Sequence, residues 1–188
     1  MALDTRQRQT LLGLGRESIE RGLAEQRLLP WPDPDIDPGL NIERASFATL
    51  KIEGILRGCC GSLHATRSIA EDVWHNAWAS AFSDPRFPPL ARAEYPNVDL
   101  QISVLSPLEP LPADSERKLL ASLRPHTDGL VLELDATRAT FLPAVWDQLP
   151  EAQMFVGQLK QKAGWPPGFW SPRIRAYRYT TESFGARD

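Results

Sequence analysis

Hydrophobic positions divide the chain into runs of two periodicities. Behind Asp4, whose carboxylate suits an N-cap, Leu11, Leu12, Ile19 and Leu23 recur at roughly helical spacing and predict a helix to about Leu29. Gly13, Gly15 and Gly22 weaken it in isolation, so its stability has to come from packing against the body. Residues 30–40, PWPDPDIDPGL, are rich in proline and acid and read as an extended surface connection. FATLKI and ILRGCCGSL flank Glu53-Gly54 and predict a β-hairpin. Ser68-Ile69-Ala70-Glu71 has the form of a capping box. It opens a helix to about Phe82, with Ile69, Val73 and Ala77 on one face.

Val98, Leu100, Ile102 and Val104 alternate with Asp99, Gln101 and Ser103, the pattern of a half-buried strand, and Pro107, Pro110 and Pro112 close it. Ser115 to Leu123 reads as a short helix, and Asp128-Gly129 turns into the strand LVLEL. A turn around Asp135-Ala136-Thr137 leads to ATFL. Pro143 and Pro150 suit the first positions of two helices, the second running to Lys162 and stopping at Gly164. IRAYRYT is the last strand. The order lacks βαβ alternation and predicts an α+β fold, a mainly antiparallel β-sheet flanked by helices. One structural unit is expected, with residues 1–40 packed on a body of residues 41–188.

Composition narrows the function classes. The 188 residues carry a net charge of −3, which argues against a large basic footprint for nucleic acid. Arg173, Arg175 and Arg178 form the one candidate stripe. No run approaches the roughly 18 apolar residues of a membrane span, and MALDTRQRQT lacks the apolar core of a signal peptide. The expected location is the cytoplasm, where thiols stay reduced. A bridge between the neighbours Cys59 and Cys60 would close a strained ring. There is no CxxC, HExxH, GxGxxG or phosphate-loop lysine motif, so neither a metal nor a cofactor is expected.

Six segments carry a resemblance: LRGCCGSL (56–63), SAFSDPRFPPL (80–90), ISVLSPLEPL (102–111), ATFLPAVWDQLP (139–150), LKQKAGW (159–165) and YRYTTESF (177–184). In this order the chain closely resembles the AMMECR-domain family, whose bacterial members are called AmmeMemoRadiSam system protein A. The resemblance covers roughly residues 45 to 184 and implies an α+β domain with an antiparallel sheet. It implies a cytoplasmic protein linked with a Memo-like protein and a radical-SAM protein, and no defined activity. Cys59 matches the family's cysteine. Cys60 stands where isoleucine is usual, and Gly168 where an acidic residue is common.

The same division follows from strand geometry. Without a bulge, Arg57, Cys59 and Gly61 share one face, and Leu56, Gly58 and Cys60 the other. Cys60 then serves as a small apolar residue. The Arg57 charge favours a thiolate at Cys59, the candidate nucleophile. Gly58 and Gly61 leave room for a ligand or for close packing, and Ser62 follows. Asp84 and Arg86 flank Pro85 as an ion pair that locks a loop, or as an anion site near Cys59. Ser103 and Thr140 are hydroxyls that would face the same cavity. His64, His75 and His126 are the candidate bases, and none is marked by its setting. Three functions remain: an enzyme with Cys59 as nucleophile on a small anionic substrate, an adaptor with an apolar patch around Trp165 to Trp170, or an RNA-binding protein.

Overall fold

The computed structural model of the protein describes residues 2–32 and 35–185. Asp33 and Pro34 of the proline-rich connection lie outside the described residues. Helix α1, Thr5–Glu25, precedes the hairpin strands β1, Ser46–Ile52, and β2, Ile55–Gly61. Helix α2, Ile69–Phe82, and strand β3, Val98–Leu105, follow. Next come β4, Glu109–Leu111, α3, Glu116–Ser122, β5, Gly129–Leu134, and β6, Thr137–Phe141. The last elements are α4, Ala152–Lys162, β7, Arg175–Tyr179, and β8, Thr181–Phe184.

The strands form two four-stranded sheets, ordered β2-β1-β3-β8 and β4-β7-β5-β6. The α+β class expected from the sequence is the class observed, with two sheets where one was expected. Strand β4 was hidden because prolines read as strand terminators; Pro110 is accommodated there because β4 lies at a sheet edge. The chain divides into two compact units, one running to Leu105 and resuming at Glu182, the other Ser106–Thr181.

In the first unit, Asp4 forms a full capping box with Gln7: Gln7 N–H donates to Asp4 at 2.8 Å and Asp4 N–H donates to the Gln7 side chain at 3.1 Å. The helix stops four residues short of Leu29 because Gln26 turns left-handed at φ 55°. Two of the three glycines that weaken α1, Gly15 and Gly22, are where other elements come close, while Gly13 meets nothing. A Cβ on Gly15 would stand 2.9 Å from Leu100, and one on Gly22 would stand 2.4 Å from Phe82. Glu53 and Gly54, at φ 52° and 78°, make the two-residue hairpin turn, a conformation glycine tolerates freely. Ile69, Val73, Ala77 and Ala81 of α2 pack with Ala48, Leu50, Leu100 and Ile102 in one core.

The second unit has its own core, in which the Trp146 and Phe155 rings stack at 3.9 Å. Trp165 and Trp170 are partly buried against this core, and Pro166, Pro167 and Gly168 between them are exposed. Lys160 is buried, and its ammonium donates to Glu116 and to the Pro167 carbonyl, each at 2.7 Å. It thereby pins the loop that follows LKQKAGW.

Candidate functional site

Helix α2 buries two stripes, each with a spacing of four. One is apolar, and the other is Asp72, Asn76 and Ser80. The polar stripe holds the hairpin. The Asp72 carboxylate, 1% exposed, accepts from Ser46 N–H at 2.8 Å, Ser46 Oγ at 2.7 Å and Asn76 Nδ2 at 2.8 Å. Ser62 Oγ donates to its other oxygen at 2.8 Å. A buried carboxylate is tolerated when donors surround it in this way. Ser80 Oγ accepts from Cys60 N–H at 2.8 Å and lies 2.8 Å from the Ala48 carbonyl, so one hydroxyl reaches both hairpin strands. A Cβ on Gly58 would stand only 2.0 Å from the Ser80 carbonyl oxygen.

The cysteines separate as strand alternation requires. Cys60 pairs with Ala48 on the helix-covered face, and Cys59 pairs with Thr49 on the other. Thr49 Oγ1 donates to Cys59 Sγ at 3.4 Å. Burial pushes the Cys60 thiol up, and the nearby Asp84 charge adds to this. The face assigned to Arg57 requires correction. The register slips between Leu50 and Lys51, which pair with Gly58 and Leu56, so Arg57 is the extra residue of a bulge. Leu56 takes the place on the Cys59 face that Arg57 was expected to hold. The Arg57 guanidinium instead bonds both oxygens of Glu94, at 2.8 and 3.0 Å, and Glu94 holds its pKa above the usual arginine value.

Asp84 and Arg86 do meet Cys59, through its backbone. The Asp84 carboxylate, 5% exposed, accepts from Cys59 N–H at 2.8 Å, and Arg86 Nη2 donates to the Cys59 carbonyl at 3.2 Å. Arg86 also clasps Asp84 through Nε and Nη2, at 2.9 and 2.7 Å. Strand β2 is an edge strand, so this pair occupies the place of a further strand at Cys59. Arg86 holds the Asp84 carboxyl well below the usual carboxylate range.

The remaining candidates are engaged elsewhere. A Cβ on Gly61 would stand 2.3 Å from the Phe47 ring, so the space beside both glycines is filled by protein. Ser62 serves Asp72, and Ser103 Oγ lies 2.8 Å from Ser183 Oγ. Thr140 is on the other sheet, donating to the Leu130 carbonyl at 2.9 Å, so the two hydroxyls assigned to one cavity belong to different sheets. His75 Nε2 lies 3.7 Å from Glu71, and burial lowers its pKa. His126 lies 3.9 Å from Asp147. Arg173, Arg175 and Arg178 each pair with a carboxylate, of Asp135, Glu133 and Glu109. Among the described residues no group of three or more His, Cys, Asp or Glu could hold a metal, and no helix is long and apolar enough to cross a membrane.

Sequence reading passed over Ser46, Asp72, Asn76, Ser80 and Glu94. The spacing of Asp72, Asn76 and Ser80 beside the apolar stripe was the available signal. Glu94 left none, because its partner is set by the bulge.

Comparison with known proteins agrees with this architecture. Residues 12–184 match the AMMECR1 family, and the chain belongs to it. A protein of Methanothermobacter thermautotrophicus is 34% identical over 181 residues, covering 93% of this chain and 92% of the relative. Protein MJ0810 of Methanocaldococcus jannaschii is 29% identical, with 90% and 85% covered. The crystal structure of the uncharacterised protein PH0010 from Pyrococcus horikoshii superposes with a TM-score of 0.83 at 29% identity, covering 92% of this chain and 88% of that one.

Two outcomes follow from the geometry. Gly58→Ala should destabilise the fold by about 3 kcal/mol in urea denaturation, because the clash is with backbone. Asp84→Asn should cost about 2 kcal/mol at pH 7. A carboxyl with a depressed folded pKa contributes stability that is complete above its unfolded value, about 3.9. That contribution is lost as pH falls toward the folded value, so the acid limb of the stability curve should be shallower in Asp84→Asn than in the unaltered protein.

Proposed function

We propose that the protein is a binding module, with the β1–β2 hairpin as its recognition element and Cys59 as part of the framework that holds it. The supporting observation is that the groups read as thiol machinery already serve the hairpin. Arg57 pairs with Glu94, Ser62 with Asp72, and Asp84 and Arg86 with the Cys59 backbone. Gly58 admits α2 and Gly61 admits Phe47. A thiol nucleophile ordinarily needs a base, and among the hydrogen bonds and ion pairs described none joins Cys59 Sγ to a histidine; His75 and His126 approach Glu71 and Asp147 instead. Beyond this locked base, the free end of the hairpin presents Ile55, 72% exposed, and Leu56, 37% exposed. The partners this reading takes are the Memo-like and radical-SAM proteins implied by the family resemblance, in the cytoplasm.

One observation favours a second reading. The Thr49 hydroxyl points its hydrogen bond at Cys59 Sγ, and such a donor stabilises a thiolate. Cys59 would then be the candidate nucleophile of an enzyme that takes a small anionic substrate.

Two measurements separate these readings. In the first, Ile55→Asp and Leu56→Asp are tested for binding to the purified Memo-like and radical-SAM proteins of the same genome. Each change should weaken binding about tenfold or more while the melting temperature holds. Absence of binding, or binding indifferent to both changes, would sink the module reading. In the second, alkylation of each thiol is followed against pH by mass spectrometry. Cys60 should react more slowly than Cys59, with an apparent pKa above the free-thiol value of about 8.5. A Cys59 pKa well below that value would instead support the nucleophile.

A further inference from the structure

The ends of α1 and α2 and the loop after α2 line an open cavity of about 580 Å³ in the first unit. That volume lies within the range of small-molecule sites. Its walls are mostly apolar, with Leu23 from α1, Trp78 and Phe82 from α2, and Leu90 from the loop. The Trp78 and Phe82 rings meet at 5.5 Å and form one continuous surface. They come this close to α1 because residue 22 is glycine; a Cβ there would stand 2.4 Å from Phe82 and 2.8 Å from Trp78.

The roof is fixed in place. Leu90 N–H donates to the Ala81 carbonyl at 2.8 Å, Ala91 N–H to Glu94 at 2.8 Å, and Tyr95 Oη to Glu20 at 2.8 Å. The cavity is therefore preformed, which lowers the cost of binding.

Its polar groups are few and of one sign. Gln26 and Arg92 are the polar side chains that line it. Arg57 and Arg86, which flank the same loop, are each paired with a carboxylate. Arg92 has no carboxylate partner among the described residues; its guanidinium donates to the Leu23 carbonyl at 3.3 Å. A mostly apolar cavity thus carries a solvent-exposed cation, Arg92, at its rim. Gln26 holds a left-handed conformation at φ 55°, where glycine would be favoured, and keeps an amide at the wall. The Trp78 indole N–H lies behind the ring surface, packed toward Gly22, and makes no hydrogen bond.

We propose that this cavity binds a small amphipathic anion, its apolar body against Trp78 and Phe82 and its carboxylate or sulfonate on Arg92. The site is separate from the hairpin, and the proposal stands whether or not the hairpin binds a partner.

The test uses the full chain and the probe 8-anilinonaphthalene-1-sulfonate, with decanoate as competitor. Binding is followed by fluorescence and by the indole N–H resonances, that of Trp78 being assigned with Trp78→Phe. A single saturable site should appear, decanoate should displace the probe, and the Trp78 resonance should shift. Arg92→Glu should weaken binding about tenfold or more, the loss expected of one charge-assisted contact, and Arg92→Lys should restore most of it. An unchanged melting temperature in both variants shows that they are folded. Unsaturable binding, equal affinity in Arg92→Glu, or a Trp78 resonance that stays still while other indoles move would overturn the proposal.

Discussion

The approach of α2 to the hairpin determines the form of the cysteine segment. The Ser80 hydroxyl touches the backbone of β1 and β2 at once, and its carbonyl lies where a side chain at position 58 would be. A helix this close brings its own polar side chains into the interface, and each needs partners there. Asp72 finds them in Ser46, Ser62 and Asn76. Placing Gly58 under the helix therefore explains the serines at both ends of the hairpin and the unusual polar stripe on a buried helical face.

The charges around β2 follow from the same constraint. With one face covered by α2, the strand still has an open side, and its backbone groups at Cys59 need partners. Asp84 and Arg86 supply a matched acceptor and donor and neutralise one another in doing so. Arg57, displaced by the bulge, is met by Glu94 on the loop beyond. That loop also bonds to α1 through Tyr95 and Arg92. A single run of chain after α2 thus finishes the sheet and roofs the cavity beside Trp78.

Much of this was legible in the residues. The hairpin turn at Glu53-Gly54, the Asp4 cap and the division between Cys59 and Cys60 follow from local rules that the tertiary structure left in force. The bulge at Arg57 did not announce itself, and it moved one residue to a different environment. Glycines flanking a thiol carry the same signal whether a ligand or a helix comes close; in the folded protein Ser80 and Phe47 take the space. The prolines at 107, 110 and 112 read as the end of a strand, yet one of them sits within a short strand of a second sheet. Long-range pairing of that kind has no local signature.

The Asp84–Arg86 plug also limits how another molecule can meet the hairpin. A peptide that docks by donating a strand needs a row of free N–H and C=O groups along the sheet margin. At Cys59 that row is interrupted by two charged side chains already bonded to it. Strand addition along β2 is closed there, so a molecule that met the hairpin at this point would have to engage its side chains. The same interruption blocks pairing of a second copy through β2 at Cys59.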